Sequence, residues 1–350
     1  MVTLDGVAID CRIVETPDPD FDPAAADSRA SVLVRKTAFS LNYRDRAYVL
    51  GTALNARSNS FAVLGSEFAG EVVACGAEVE DFCAGMRVMA NNSYPADQPG
   101  IGGGLPGNHL SRELEIIPAA KLVQIPEKMS DIEAAAFSIG GQTTFSMIRK
   151  LAITPGSVVL VTGGRSNTSL FAIHAVKALG LDPPATIYVS TTSERSERAL
   201  LEMGIAGVIR IDPTAPSFAQ SLIEEHGGVD AVIDPFYDVH LVPAVHVMRQ
   251  GGRYTTCGRY NQTGHLAPLA HAIEVPSAKG LLSRILFLNL QIIGNCLGLT
   301  SDLEAALVAY SEGRYPVIVD SVFGDGDAVG FLDRTYNSAE RFGKVVYSYR

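Results

Sequence analysis

Cysteine is sparse. There are five, Cys11, Cys75, Cys83, Cys257 and Cys296, odd in number and never spaced as C-x-x-C. That argues against a disulfide framework and against a four-cysteine structural zinc lobe. Charge is also low, at 19% of residues, and it leans acidic: 28 basic against 38 acidic side chains, a formal net charge of −10. With no basic surplus to neutralise phosphates, nucleic acid is not an expected partner. Long apolar runs are missing too. The nearest, GLLSRILFLNLQIIGN, is broken by Ser283, Arg284, Asn289 and Gln291, so no membrane span is expected. The opening MVTLDGVAIDCR has no basic segment leading into an apolar one. A cytoplasmic setting is therefore expected. No G-x-S-x-G elbow and no G-K-[ST] phosphate loop occurs, so neither chemistry is indicated.

What is present is a chain of 350 residues, 47% apolar. That length suggests about two domains, and the composition is enough to bury a core. Residues 1–126 read as short strands and turns, with ASVLVRKTAFS, AGEVVACG, MRVMA and ELEIIPAAKLVQIP as the strand candidates. An acidic, proline-rich connection spans 17–28, and a Gly/Pro loop of unusual length spans 91–108. Such a loop is either a site wall or simply a long connection.

From 127 to 297 the rhythm changes. SVVLVTG is a continuous apolar strand and TSLFAIHAVKALG a helix. TIYVST, SERALLEMG, GVIRID, SFAQSLIEEHGG, GVDAVIDP, VPAVHVMRQGG, RYTTCG and NLQIIGN continue the alternation. Apolar strands separated by amphipathic helices predict a parallel sheet covered on both faces, doubly wound through right-handed crossovers. Residues 298–350 begin with a serine-capped helix, SDLEAALVAYSEG, and end in a strand.

Several stretches, in order, resemble the medium-chain dehydrogenase/reductase superfamily. They are LNYRD (41–45), GSEFAGEVVACG (65–76), MRVMA (86–90), KLVQIPEKMS (121–130), AAAFSIGGQTTF (134–145), SVVLVTGG (157–164), GVDAVIDP (228–235), GGRYTTCGR (251–259) and GKVV (343–346). The narrower likeness is to its zinc-free quinone oxidoreductase and polyketide enoyl-reductase branches. The resemblance implies an α/β fold: a GroES-like β-barrel domain (1–126, with 298–350 returning to it) and a Rossmann doubly wound parallel-sheet domain (127–297). It also implies a cleft that takes cofactor and substrate. Zinc-dependent relatives supply a Cys, then a His in a G-H-E motif, then a third ligand ahead of the first Rossmann strand. Here those places read Asn42 and Ser66, and 134–145 contains no Cys, His, Asp or Glu. No metal is therefore expected. Without a Lewis acid, reduction of an activated C=C is a better expectation than alcohol oxidation.

The glycine turn after the first Rossmann strand reads TGGRSNTSLFAI, which is not G-x-G-x-x-G. Gly164, Arg165, Ser166, Asn167 and Thr168 occupy it. Ser and Asn are small, and their side chains add donors to the helix amino-terminus. The turn is thus either an altered but working phosphate site or a weakened one. After TIYVS come Ser190, Thr191, Thr192 and Ser193, then Arg195 and Arg198, with Glu194 the first carboxylate. Hydroxyls and arginine suit a 2′-phosphate, so NADPH is the expected cofactor. The alternative is that the arginines pair with Glu194 and Glu197 on a solvated helix start.

The resemblance also marks site residues. Tyr43 and Asn42 lie in the segment similar to the family's active-site stretch. A phenol there is a candidate proton or hydrogen-bond donor to an enolate, and Asn42 a candidate partner for the substrate carbonyl or the nicotinamide ribose. Thr143, Pro235, Phe236, Cys257, Gly258, Arg259 and Lys344 are candidates to border the cofactor; Thr143 otherwise reads as a helix cap. His109 and His174 are weaker candidates. The expected activity is NADPH-dependent reduction of an enone, enoyl thioester or quinone. Two alternatives stay open: a biosynthetic tailoring reductase acting on another bond such as C=N, and a non-catalytic binding protein on the same fold. A small-molecule substrate and a homodimer, paired through NLQIIGN, are expected by analogy.

Overall fold

The computed structural model describes residues 1–55, 61–96, 102–211, 219–258 and 278–350, without the side chains of residues 238, 239 and 278. The chain forms two compact units. One comprises Met1–Gln142, Leu299–Ser311 and Val317–Arg350; the other comprises Thr143–Gly298 and Glu312–Pro316.

In the first unit, β1 (Val2–Leu4) and β2 (Val7–Ile9) form a small hairpin. A larger sheet is built from β3 (Ser31–Ser40), β4 (Glu67–Cys75), β5 (Arg87–Ala90), β6 (Leu114–Pro118) and β7 (Leu122–Gln124). Two later strands, β14 (Val319–Phe323) and β15 (Lys344–Ser348), complete its seven. The order is β14-β15-β3-β4-β5-β7, with β6 paired to β3. β3 is the hub: its first half pairs with β6, its last residues with β15, and its length with β4. Only Arg35 of its ten residues is exposed. A strand shared three ways and buried on both faces has little use for alternation. Phe39, Phe331 and Tyr347 meet at centroid distances of 5.3–5.6 Å at the base of this core.

The second unit holds the parallel sheet. Its strands are β8 (Val158–Val161), β9 (Thr186–Thr191), β10 (Gly207–Arg210), β11 (Val229–Asp234), β12 (Met248–Thr256) and β13 (Gln291–Gly294). They lie in the order β10-β9-β8-β11-β12-β13, with every pairing parallel. This is the doubly wound dinucleotide-binding order, whose direction reverses between β8 and β11. β8 is wholly buried and β11 nearly so, as their unbroken apolar text predicts. Helices α4 (Asn167–Ala178), α5 (Glu194–Glu202), α6 (Gln220–His226) and α7 (Tyr237–Val247) connect the strands.

The units divide at Gln142/Thr143, later than the change of rhythm at 126. Residues 130–142, which include the short α2 (Asp131–Ala135), hydrogen-bond within the first unit. Arg87 Nε donates to Asp131 Oδ1 at 2.8 Å, and the Asn92 N–H donates to Gln142 Oε1 at 2.9 Å. The division falls inside one helix, α3 (Ser138–Leu151), where sequence rhythm does not change. Likewise 312–316 joins the second unit, because buried Tyr315 bonds the Thr144 hydroxyl at 2.7 Å and packs on Phe145 and Phe171. The helix near residue 300 begins at Thr300, ahead of the expected Ser301 cap; Asp302 accepts from the Leu299 N–H at 2.9 Å and ties down its start.

Lys36, in the middle of β3, has no exposed side-chain surface. It pairs with Glu115 of β6 and lies over the Phe68 ring at 5.0 Å. Burial pushes its pKa down to about 8 against the opposing pull of Glu115. Between that value and the ordinary one near 10.5, the unfolded chain binds more protons than the folded one. Stability from this group therefore rises with pH across the window. Relative to a Lys36→Met/Glu115→Gln variant, the wild type should gain stability between about pH 8 and pH 10 in paired urea unfolding curves. A constant difference would show that burial does not depress this lysine.

Candidate functional site

The first unit gathers a buried polar network around Glu67, the first residue of β4, which has no solvent exposure. Glu67 Oε1 accepts from the Ser40 hydroxyl at 2.9 Å, from Asn42 Nδ2 at 2.8 Å and from the Lys344 ammonium. Glu67 Oε2 accepts from the Ile139 N–H at 2.9 Å and the Ser138 hydroxyl at 3.4 Å. The donors come from β3, the start of helix α1 (Tyr43–Leu54), β15 and the start of α3. A carboxylate out of water requires such an answer.

Asn42 is the N-cap of α1, and with Asp45 it forms a capping box. The backbone N–H of Asn42 donates to Asp45 Oδ2 at 2.7 Å. Its amide also donates to Ser66 Oγ at 3.1 Å, and its Oδ1 accepts from Lys344 Nζ at 2.9 Å. Both amide protons and the amide oxygen are therefore engaged within the chain. Ser66 in turn donates to Asp45, which also takes Arg44 Nη1 at 3.0 Å. Burial pushes the Asp45 carboxyl up, opposed by Ser66, the Asn42 N–H and the positive charges of Arg44 and Lys344. Tyr43 opens α1, half-buried, with the Arg46 guanidinium 5.5 Å from its ring centroid. Lys344 is buried at the head of β15 and belongs to this network. His109 is half-exposed, with Nδ1 3.5 Å from Glu115. Among the described residues no group of three or more His, Cys, Asp or Glu side chains is arranged to hold a metal ion.

The second unit collects most of the remaining candidates at the carboxyl ends of its strands, where open α/β sheets bind ligands. The Gly164 N–H donates to the Ser190 carbonyl at 2.7 Å, joining the turn after β8 to the end of β9. A Cβ at Gly164 would stand 2.6 Å from Val189 Cγ1, so the glycine is required by helix–sheet packing. Gly163 adopts φ +61°, and a Cβ there would stand 2.4 Å from the Phe236 ring. Arg165 lies in the turn; Ser166 caps α4, and Asn167 and Thr168 open it. At the place of a later motif glycine, the Ser169 hydroxyl donates to the Thr162 carbonyl at 2.6 Å and is fully buried. The serine thus satisfies itself on the strand end.

Ser190 is fully buried, and its hydroxyl has no hydrogen-bond partner among the described residues. Thr192 and Arg195 are exposed just beyond β9. Arg198 pairs with Glu202 at 3.0 Å and Glu197 with Arg210 at 3.8 Å, rather than with each other. The Cys257 thiol takes a hydrogen bond from Thr168 and is pushed up to about 12 by burial first and the Asp234 charge second, so it is no thiolate. Gly258 packs so tightly on Pro235 and Phe236 that a Cβ would stand 2.1 Å from the Pro235 carbonyl oxygen. Thr143 sits inside α3 rather than at a cap, and its carbonyl accepts from Asn295 Nδ2 at 3.4 Å. His174 is largely buried and held neutral, its pKa pulled down to about 4 by desolvation. Arg259 lies outside the described residues.

Two groups escape the sequence reading. Glu67 is one. The other is Asp234, fully buried at the end of β11. It accepts from the Thr162 hydroxyl at 2.7 Å, the Phe236 N–H at 3.0 Å and the Tyr254 hydroxyl at 2.6 Å, and it lies 3.1 Å from His240 Nδ1. A charged residue inside an otherwise apolar strand segment, GSEFAG or VDAVIDP, is the signal that marks both.

Comparison with known proteins agrees with this architecture. The alcohol dehydrogenase GroES-like domain model matches residues 28–127. A phenolphthiocerol/phthiocerol polyketide synthase from Mycobacterium tuberculosis is 25% identical over 91% of this chain. The match spans only 13% of that synthase's length. An acryloyl-coenzyme A reductase from Metallosphaera sedula is 25% identical over 86% of this chain and 87% of its own. The crystal structure of an NAD-dependent alcohol dehydrogenase superposes with a TM-score of 0.77 at 25% identity, covering 97% of this chain and 96% of that one.

If Lys344 is what balances Glu67, then Lys344→Met strands a buried carboxylate and should cost about 3–5 kcal/mol in urea unfolding. Adding Glu67→Gln to the same chain should recover most of that loss. Additive losses in the double variant would show that the two groups are not coupled.

Proposed function

The chain belongs to the medium-chain dehydrogenase/reductase superfamily of oxidoreductases, and from that premise we propose that it is a zinc-free, NADPH-dependent reductase of activated C=C bonds. The substrate class is an enone, an enoyl thioester or a quinone. The observation that carries this reading is the network on Asn42, Ser66 and Glu67. Zinc is held by thiolate, imidazole or free carboxylate donors. Here Asn42 and Ser66 are neutral and bonded to each other at 3.1 Å, Glu67 is answered by Lys344, and Asp45 by Arg44 and Ser66. Those residues do not fit a zinc ion. A reaction whose substrate carbonyl already delocalises the developing charge needs no such ion. Relatives named for acryloyl-coenzyme A reduction and for quinone oxidoreduction support the same class.

The second unit's residues fit a nicotinamide dinucleotide. The amino-terminal turn of α4, which opens at Asn167, is the place a pyrophosphate would take at the end of β8. The unpartnered Ser190 hydroxyl lies buried at the end of the neighbouring strand. Thr192 and Arg195 beyond it suit a 2′-phosphate. When bound, the reduced cofactor supplies a hydride. The chain supplies orientation, and at the α-carbon a proton. Asn42 has no amide proton left to offer, which leaves the Tyr43 phenol as the proposed donor. Asn42 fixes the start of α1 and hence the place of Tyr43. The free edge of β13, where Ile292 is exposed and no described strand pairs, is the proposed homodimer contact.

Loss of reduced-nicotinamide absorbance on mixing protein, NADPH and simple enones or quinones tests the reading. NADPH binding without consumption would favour another bond such as C=N, oxidation of simple alcohols with NADP⁺ would favour a dehydrogenase, and no binding would sink the enzyme. Tyr43→Phe should lower turnover about 100-fold; an unchanged rate would assign the proton to water. Arg195→Ala should weaken NADPH about tenfold in fluorescence titrations and leave NADH unchanged, in keeping with one charge-assisted contact.

A further inference from the structure

The second unit carries a cluster that the proposed chemistry does not use. Asp234, His240, Tyr254 and Thr162 form it, and all four are buried. Burial works to raise the Asp234 carboxyl, but His240, then Tyr254 and Thr162, outweigh it and hold the group below the usual carboxylate range. An ionised carboxylate only accepts, so the His240 nitrogen facing it carries its proton. The partners come from the end of β8, the turn after β11, helix α7 and strand β12. One carboxylate thus ties together the strand ends on both sides of the reversal in strand order. Apolar packing at a strand end is usually as stable as a buried ionic cluster. Strand packing alone gives no reason for a carboxylate there.

The group fixed by this clamp is Phe236. Its N–H is held by Asp234, its ring packs on His240 with centroids 5.2 Å apart at 36°, and its ring edge rests on Gly163. The ring is nevertheless only half-buried. It borders the same turn that leads into the amino-terminus of α4. The adenosine-side candidates, Ser190, Thr192 and Arg195, lie on the other side of β8, at the end of β9.

We propose that Asp234 and His240 are positioning residues for Phe236, and that the exposed part of this ring is the wall on which the nicotinamide half of the dinucleotide packs. The inference rests on the dinucleotide reading above. It assigns to Phe236 an effect on one half of the ligand only. An aromatic wall contributes to binding through its flat apolar face, so its orientation matters as much as its presence.

The test compares two ligands on the intact chain: NADPH, followed by reduced-nicotinamide fluorescence, and adenosine 2′,5′-bisphosphate, followed by calorimetry. Phe236→Leu should weaken NADPH about tenfold and leave the bisphosphate unchanged. His240→Leu should reproduce a similar selective loss, and His240→Asn, which keeps an N–H facing Asp234, should restore it. A purely structural role would lower both affinities together and leave their ratio intact. Equal losses for both ligands, or no loss for either, would overturn the proposal while leaving the reductase reading standing. NADH and ADP serve as the second pair, so that an error in cofactor preference is told apart from an error about Phe236. If the wild type binds none of the four, the dinucleotide reading falls and this inference falls with it.

Discussion

Glu67 has no contact with water, and an ionised carboxylate in that position costs several kcal/mol unless donors replace its hydration. The replacement is drawn from β3, the cap of α1, the start of α3 and β15. None of these segments is free to move without uncovering the charge. The place of α1, and with it Tyr43, follows from an electrostatic requirement as much as from apolar packing. The same requirement explains why Asn42 is not available for chemistry: a neutral amide that cross-links an ammonium, a carboxylate and a serine has nothing left to donate. A structural demand has consumed a residue that looks catalytic in one dimension.

Asp234 repeats the pattern in the second unit with a different result. Its donors are mostly neutral, Tyr254, Thr162 and a backbone N–H, with His240 beside them. An ammonium partner makes a site stiff and closed. A histidine and hydroxyls leave a cluster whose geometry depends on tautomer and rotor. The first arrangement suits a scaffold for α1. The second stands at the end of the sheet, where ligands to this fold arrive.

Much of this was legible in the text and some was not, for physical reasons. β8 and β11 are unbroken apolar runs because both faces of a parallel sheet are covered, and they read as such. Gly164 reads as a phosphate-binding residue, and the contact that leaves no room for a side chain there is Val189, a residue of its own unit. Periodicity does not carry that information, because a glycine looks alike whether ligand or chain approaches it. The boundary at Gln142 was hidden because the chain crosses it inside a continuous helix. Lys344 was legible as a residue that matters, but its partner stands 277 positions away. The antiparallel pairings of β15 with β3 and of β3 with β4 bring the two together. Glu67 and Asp234 themselves were visible as charges in apolar surroundings, which is a signal of cost and not yet of role.

The two clusters also bear on what chemistry suits the molecule. A Lewis acid concentrates positive charge on a substrate oxygen and so serves reactions that begin from a poorly polarised C–O bond. In this chain the Lys344 ammonium is turned inward onto Glu67, Asn42 and the Leu41 carbonyl. Its charge is neutralised within the protein before any substrate is met. At the head of α1 the Tyr43 ring stands beside the Arg46 guanidinium, which pairs with Asp5. What the two buried carboxylates secure is order within their own units: each binds several segments into one geometry, and fixed geometry is what orients reacting groups.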